Sequence, residues 1–188
     1  MDIRIMVQST PNPNALKFVL NIPMRTNGNV TYKSLAETEN NPLARIVFEK
    51  SENITEVYFF DNYITVTQDG SADWDDLEET LRKSILDNAK DHNAGFYHEE
   101  PKAAELPIAK ETPEIQRINA ILNETIRPAL QMDGGDLQIA GFTDNKLSIF
   151  YQGACGSCPS STMGTLNAIE NILKNEYDPD ISVELAEL

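Results

Sequence analysis

The sequence predicts an α+β protein made of two small domains joined by a flexible linker. Its 188 residues lie between the usual size of one large domain and of two small ones. Between Asn88 and Thr112 the hydrophobic periodicity stops, and charged residues, Pro and Ala dominate. On each side of that stretch, alternating and helical apolar patterns both occur. We therefore predict a first domain over 1–90, a linker over 91–111 and a second domain over 112–188.

Composition and charge exclude several classes of protein. The chain is 40% hydrophobic and 24% charged, which is ordinary for a globular protein, and no apolar run approaches the roughly 20 residues of a membrane span. A formal net charge of −15 would repel phosphate backbones, so we expect no nucleic-acid partner. Scarce cysteines and the lack of a secretory or transit pattern at the start predict a cytoplasmic protein.

The first domain begins with two predicted strands, residues 3–7 and 15–20, separated by the turn-rich residues 10–14. Asn41 followed by Pro42 predicts a helix start, because an Asn side chain caps well and Pro tolerates the first helical position.

Two further strands, residues 56–60 and 63–67, have the spacing of a hairpin with a two-residue loop. Asp73 then caps a helix whose apolar side chains recur at helical spacing: Trp74, Leu77, Leu81 and Ile85. This domain offers no cysteine, no histidine and no phosphate-binding loop. We therefore expect it to recognise partner or client proteins rather than to carry chemistry.

Both histidines of the chain, His92 and His98, lie in the predicted linker. A pair on a flexible segment is usually solvated, so we expect neither to bind a metal.

The second domain is predicted to run helix–strand–strand–helix–strand. Thr112 and Pro113 make a plausible cap and first turn, and Pro128 predicts a kink or an early end of that helix. Residues 137–140 and 146–151 predict an antiparallel hairpin with a loop over 141–145. A second helix follows, with apolar residues at Met163, Leu166, Ile169, Ile172, Leu173 and Tyr177. Residues 178–180 end it, and 181–185 form a last strand.

Cys155 and Cys158 are the only cysteines in the sequence, and they fall between a predicted strand and a predicted helix. Two thiolates at this spacing suit one edge of a tetrahedral metal site or an iron–sulfur cluster. They equally suit a dithiol redox couple. A helix N-terminus stabilises the thiolate form in either case.

Three interpretations of this pair remain open from the residues alone. A thioredoxin-type oxidoreductase fits poorly, because a βαβ redox unit does not begin with an antiparallel hairpin and only 30 residues follow Cys158. A zinc site normally takes four ligands from one chain. This domain has no histidine, and its acids Asp133 and Asp136 could contribute but are separated from the cysteines by a hairpin. An iron–sulfur cluster commonly takes four thiolates, which two copies of the chain would supply across a two-fold axis.

Several segments also resemble a known family. Residues 126–136 and 152–162, which include the Asp133–Asp136 turn and both cysteines, resemble the NifU C-terminal (Nfu-type) domain. Residues 10–18, 41–45 and 63–67, together with Asp73 and Trp74, resemble the Nfu N-terminal domain.

The resemblance implies a non-enzymatic iron–sulfur scaffold or carrier. It implies a [4Fe-4S] cluster held between two protomers by Cys155 and Cys158, received from an upstream cluster assembly scaffold and passed to apo-proteins. The Asp133–Asp136 segment matches the family as well, and we expect it to be a structural turn without a ligand role.

Overall fold

The computed structural model describes residues 2–97, 109–156 and 161–186, with the backbone alone over 161–163. These residues form two compact units of α+β architecture, as the sequence predicts. The first unit contains β1 (Ile5–Ser9), β2 (Ala15–Leu20), β3 (Asn29–Tyr32), a 3₁₀ helix (Leu35–Asn40), α1 (Pro42–Phe48), β4 (Ile54–Phe60), β5 (Tyr63–Gln68) and α2 (Trp74–Ala89).

The five strands of the first unit form one antiparallel sheet in the order β1-β2-β5-β4-β3. Alternate residues of the three central strands point to one face, and with apolar side chains of α1 and α2 they form the core. Its most deeply buried members from the strands include Phe18, Leu20, Val57, Phe59, Ile64 and Val66.

The predicted turns and caps of this unit are confirmed. Phe60 pairs with Tyr63, so Asp61 and Asn62 form a two-residue loop, and Asp61 adopts a φ of 43°. The N–H of Ala44 donates to Asn41 Oδ1 at 3.1 Å, and the N–H of Asp75 donates to Asp73 Oδ1 at 2.9 Å.

Two short elements escape sequence prediction. The edge strand β3 has four residues, two of them polar, and gives too short an alternation to recognise. The 3₁₀ helix is rich in polar residues and buries only Thr38.

The residues at the start of the predicted linker pack on the first unit. The expectation that His92 is solvated is wrong: its Nε2 lies 2.8 Å from the Met24 carbonyl oxygen, and its ring stacks on Phe59. Phe96 is buried in the same core. The expectation failed because one isolated buried aromatic residue, Phe96, leaves no repeating apolar pattern in the sequence. His98 and residues 99–108 lie outside the described part of the chain.

The second unit contains α3 (Pro113–Thr125), α4 (Arg127–Met132), β6 (Gly135–Thr143), β7 (Lys146–Gly153), α5 (Ser161–Glu176) and β8 (Ser182–Leu185). Before α3, the N–H of Ala109 already donates to the Ile139 carbonyl at 3.2 Å, so this unit starts before the predicted residue 112. Thr112 caps α3, accepting from the N–H of Ile115 at 3.3 Å. The helix ends before Ile126, and Pro128 lies in the first turn of α4, as predicted.

The hairpin loop of the second unit is shorter than predicted. Thr143 pairs with Lys146, and Asp144 and Asn145 adopt φ angles of 52° and 57°, which is the geometry of a two-residue hairpin turn. Gly141 lies inside β6, at a shift in strand register after Ile139. The predicted loop over 141–145 is therefore wrong at its start, because a bulge glycine resembles a loop glycine in sequence.

Strand β7 lies at the centre of the second sheet, whose order is β6-β7-β8. It pairs antiparallel with β6 and parallel with β8, so α5 is the crossover between β7 and β8. The loop that enters this crossover carries the cysteine motif. None of the helices within residues 2–97, 109–156 and 161–186 is long and apolar enough to cross a membrane.

Candidate functional site

Cys155 lies where the sequence predicts it, between the end of a strand and the start of a helix. Strand β7 ends at Gly153 and α5 begins at Ser161. Cys158, the second predicted ligand, lies outside the described residues, as do Ser157, Pro159 and Ser160.

The backbone around Cys155 is held by two hydrogen bonds. The N–H of Gly156 donates to the Gly153 carbonyl at 2.9 Å and closes a tight turn around the cysteine. The N–H of Ala154 donates to the Gly134 carbonyl at 3.2 Å and ties this turn to the loop before β6. Gly153 has a φ of 61°, a left-handed backbone conformation that residues other than glycine rarely adopt. The backbone at Cys155 is therefore held both by the turn after β7 and by the loop before β6.

Gly135 supplies the surface on which the thiol rests. A Cβ atom at this position would lie 2.6 Å from Cys155 Sγ, 2.5 Å from the Gln152 carbonyl oxygen and 2.9 Å from the Cys155 nitrogen. Any side chain here would displace the sulfur or the backbone of β7. The Asp133–Asp136 segment is thus the structural turn we expected, and its second glycine also shapes the thiol site.

Cys155 is only 4% exposed and belongs to the core of the second unit. A thiol that exchanges with protein disulfides must be reachable by them. Burial therefore disfavours direct exchange of Cys155 with a protein disulfide, and a cluster shared with a second chain would likewise require this sulfur to become more exposed.

Tyr151 is the nearest titratable neighbour of the site along β7. Burial is the main reason that its pKa is raised to about 12, and the Cys155 sulfur contributes to the increase. The phenol is therefore protonated at neutral pH, and its hydroxyl oxygen is buried.

Asp136 does not present its carboxylate to the thiol as a free ligand. It is 2% exposed and lies 2.6 Å from Arg127 Nη1. Arg127 Nη1 also donates to the Leu137 carbonyl, and Gln131 Nε2 donates to the second Asp136 oxygen. The ion pair links α4 to the first residues of β6, next to Gly135.

Sequence reasoning missed Arg127 and Gly135 as parts of the site. Arg127 directly precedes Pro128 and reads as an ordinary helix-boundary residue, since its buried partner lies nine residues further on. The pair Gly134-Gly135 was visible, but only the fold shows that the second glycine touches the cysteine.

The described residues hold too few donors to complete a metal site alone. Over 2–97, 109–156 and 161–186, no group of three or more His, Cys, Asp or Glu side chains is placed to hold a metal ion. The donor that is present is a soft sulfur, which suits iron–sulfur clusters and other thiophilic metals better than Ca²⁺ or Mg²⁺.

Each of the two units matches a known protein family. The family described as NifU-like domain matches residues 118–184, and the family described as scaffold protein Nfu/NifU N terminal matches residues 5–92. The two matches follow the two units, and the first contains Gly135, Cys155 and Cys158.

Among curated proteins, the chain is 33% identical over 178 residues to the human NFU1 iron-sulfur cluster scaffold homolog, mitochondrial, covering 94% of this chain and 69% of that protein. It is 31% identical over 173 residues to NifU-like protein 4, mitochondrial, of Arabidopsis thaliana, covering 90% of this chain and 61% of that protein. The chain thus spans about three fifths to two thirds of the length of these relatives.

The predicted cytoplasmic location is contradicted by these relatives, because both of them are mitochondrial proteins. Scarce cysteines indicate a reducing compartment but do not distinguish one such compartment from another.

Among solved structures, a NifU-like protein from Saccharomyces cerevisiae matches 52% of this chain and 87% of its own, with 20% identity and a TM-score of 0.46.

Proposed function

Because this chain belongs to the Nfu family of iron–sulfur cluster scaffold proteins, we propose that it is an iron–sulfur cluster carrier whose cargo is a [4Fe-4S] cluster. Cys155 and Cys158 are the proposed ligands. The carrier receives the cluster from an upstream assembly scaffold and delivers it to apo-proteins, without itself catalysing a reaction.

The count of sulfur donors supports a cluster shared by two chains. One chain offers two thiolates, and a cluster commonly takes four. A two-fold symmetric pair of chains would bring together two copies of the motif. A site completed only between two protomers can also release its cluster when the protomers separate.

The observation that carries the proposal is the seating of Cys155. Its sulfur is held in a cradle that only a glycine at position 135 permits, at the entrance to α5, and two backbone hydrogen bonds hold the turn around it. Such fixed placement suits a ligand, because the direction of the sulfur must match a cluster of fixed shape.

We further propose that the first unit recognises partner or client proteins. It has its own core and no cysteine, and it matches a separate family model. These features fit a module that contributes binding rather than cluster ligands.

Anaerobic reconstitution with iron and sulfide tests the ligand assignment. We expect about four irons and four sulfides per two chains, and a holo-protein with twice the mass of one chain. Cys155→Ala and Cys158→Ala should each abolish stable loading.

Ser148→Ala is the matched control for this experiment. Ser148 lies on the same strand as the site, and its hydroxyl donates only to the exposed Glu184, so this variant should load as the wild type does. A cluster that persists in either cysteine variant contradicts the ligand assignment. Stoichiometric zinc, or turnover of a protein disulfide without iron, would instead support the zinc or oxidoreductase interpretations.

Cluster transfer tests the role of the first unit. The acceptor is an apo-protein whose activity requires a [4Fe-4S] cluster, and the variant lacks residues 1–97, because His92 and Phe96 belong to the first core. We expect loading to persist and transfer to slow. Unchanged transfer by a correctly folded truncated protein would contradict partner recognition by the first unit.

A further inference from the structure

Strand β1 forms one edge of the first sheet, since the strand order is β1-β2-β5-β4-β3. Leu20 of β2 lies opposite Ile5, but its N–H donates to the Asn62 carbonyl oxygen and its own carbonyl oxygen accepts from Asn62 Nδ2. Both backbone groups of Leu20 therefore point away from β1. The N–H of Asn21 instead donates to the Arg4 carbonyl oxygen at 3.2 Å, so the backbone of Arg4, not that of Ile5, bonds towards β2.

The alternation of an antiparallel ladder gives the direction of the remaining backbone groups of β1. Hydrogen-bonded and non-bonded pairs alternate along the two strands, and the register pairs Met6 with Val19. Every second residue counted from Arg4 therefore bonds to β2, and the residues between them direct their N–H and C=O groups outwards. These outward residues are Ile5, Val7 and Ser9. Among the residues that the structure describes, no strand pairs with this outer side.

The sheet of the second unit has contacts on both of its edges. At β6 the N–H of Ala109 donates to the Ile139 carbonyl oxygen, and at β8 the N–H of Val183 donates to a Glu170 carboxylate oxygen at 3.0 Å. Edge strands are normally protected by such contacts, or by charged residues or proline in the strand. The five residues of β1 include no charged residue and no proline, so its outer side is open to another strand.

The apolar side chains beside this edge are incompletely covered. Ile5 and Val7 are half-buried against the first core, as is Ile3 just before the strand. No half-buried apolar residue of that described core comes from β3, the opposite edge. On the other face of β1, Met6 is 57% exposed. A strand added beside β1 would continue the alternation and place its own apolar side chains next to Ile5 and Val7.

The charge of the chain indicates which kind of segment fits this edge. The formal net charge is −15, so a second copy of the chain would be repelled. Trp74 donates to the Pro13 carbonyl oxygen, which holds the acidic first turn of α2, with Asp75 and Asp76, next to the loop that follows β1. Arg4 lies at the opposite end of the strand. A basic segment is therefore attracted, most strongly at the end of β1 that leads into this loop.

We propose that the outer edge of β1 binds an extended, basic segment of a partner protein by adding it to the first sheet. The inference rests on the proposed recognition role of the first unit and deepens it by naming the surface and the class of partner. The backbone groups of Ile5, Val7 and Ser9 supply the hydrogen bonds. The side chains of Ile5 and Val7 select apolar residues at alternate positions of the segment.

Amide hydrogen exchange of the full chain tests where such a segment binds. The probe is a short synthetic peptide that alternates valine and lysine. At about ten times its Kd, the peptide should slow exchange at the Val7 amide about tenfold, since only the free fraction of the protein exchanges there. The Met6 and Gln8 amides, which already bond to β2, should change much less. Unchanged exchange at Val7 when the peptide is bound overturns the inference.

A second peptide with glutamate in place of lysine tests the charge of the partner. It offers the same backbone and the same valines, and it should bind about tenfold more weakly because like charges meet at the interface. Equal or tighter binding of this peptide contradicts a basic partner.

Val7→Pro tests the hydrogen bonds themselves. Proline is tolerated on an edge strand where the N–H that it lacks would face outwards, so the ladder to β2 should remain. Binding of a labelled valine–lysine peptide, followed by fluorescence anisotropy, should weaken about tenfold. Val7→Ala is the matched control, since it also shortens the side chain but keeps the N–H, and it should bind more tightly than Val7→Pro. Equal weakening in the two variants overturns strand addition.

Unfolding followed at Trp74 shows whether Val7→Pro keeps the first unit folded. If it does not, the exchange experiment on wild-type protein still decides the inference. That experiment also identifies a different occupant. Exchange at Val7 that slows as the protein concentration rises, without peptide, would mean that a second copy covers the edge, which contradicts a basic partner.

Cluster transfer separates this inference from the recognition role of the first unit. If removal of residues 1–97 slows transfer and Val7→Pro does not, the first unit recognises clients through another surface and the inference alone fails. If neither change slows transfer, the recognition role itself fails.

Discussion

Both units contain an antiparallel hairpin that leads through a loop into a long helix, and the described residues of the two loops bury different side chains. In the first unit, β5 ends at Gln68 and α2 begins at Trp74. In the second unit, β7 ends at Gly153 and α5 begins at Ser161. Each hairpin turns through two residues, at Asp61-Asn62 and at Asp144-Asn145.

The loop of the first unit is closed by its own polar side chains. Gln68 is 4% exposed; its Oε1 accepts from the N–H groups of Gly70 and Ala72, and its Nε2 donates to the Ala72 carbonyl. Trp74 then anchors the helix start by donating to the Pro13 carbonyl at 2.9 Å. No side chain of this loop is left to bind a soft metal.

The second unit buries a thiol, Cys155, two residues after its strand β7 ends. The described residues of this loop after Gly153 are Ala154, Cys155 and Gly156, and the sulfur fills the space beside Gly135. The two connections therefore bury different side chains next to the helix that follows, an amide in the first unit and a thiol in the second.

The largest expected effect comes from Arg127→Met in the second unit. It leaves the Asp136 carboxylate buried without its cationic partner, which should lower the free energy of unfolding of this unit by about 3–5 kcal/mol. Hydrogen exchange of the β6 and β7 amides measures this loss. Trp74 is the only tryptophan, so its fluorescence reports on the first unit and should not change.

Arg82→Met provides the control for that prediction. Arg82 pairs with Glu79 on the exposed face of α2, where solvent screens the pair, so its removal should change the stability of the first unit very little. Comparable losses in the two variants would show that the buried ion pair does not position the turn.

Gly135→Ala should have the next largest effect. Two of the three close contacts of the new Cβ are backbone atoms, so β7 or the cysteine turn must shift, at a cost of about 1–3 kcal/mol. Cluster loading should fall as well, because the shift moves Cys155 Sγ. Iron content after reconstitution and amide exchange in the second unit measure the two effects.

Gly141→Ala lies on the same strand and has no atom within 4 Å of the new Cβ. It should retain both stability and loading. If it lost as much as Gly135→Ala, the cause would be glycine's role in the strand rather than the contact with the thiol.

Gln68→Ala tests the first loop in the same way. Losing three hydrogen bonds to the loop backbone should destabilise the first unit by about 1–3 kcal/mol, measured by denaturant unfolding followed at Trp74. Cluster loading should remain at the wild-type level. A parallel loss of cluster would contradict the assignment of cluster binding to the second unit alone.

Much of this comparison was available from the sequence, because it depends on local signals. The caps at Asn41, Asp73 and Thr112 and the position of Cys155 follow from residue type and spacing within a few positions. Gly135 against Cys155 and Arg127 against Asp136 are contacts made by strand pairing and helix packing, which no local pattern encodes. His92 was misjudged for the same reason, since its partners Met24 and Phe59 are distant in sequence.

His92 gives the smallest expected effect, and it concerns the first unit alone. Burial lowers the pKa of this imidazole below its ordinary value of 6.5, against a smaller opposing contribution from the Met24 carbonyl. As the pH falls through that ordinary value, the unfolded chain takes up a proton before the folded unit does. The first unit should therefore be fully stable above it and lose stability as the pH falls from there towards the lowered pKa of the folded state.

His92→Gln isolates this contribution, because glutamine can still donate to the Met24 carbonyl but does not titrate. His98 is present in both proteins, so its titration cancels in the difference between them. Unfolding at Trp74 between pH 7.5 and about 5 should show a steeper decline for wild type than for the variant. Parallel pH profiles would mean that the imidazole is not desolvated, and that this end of the first core opens to water.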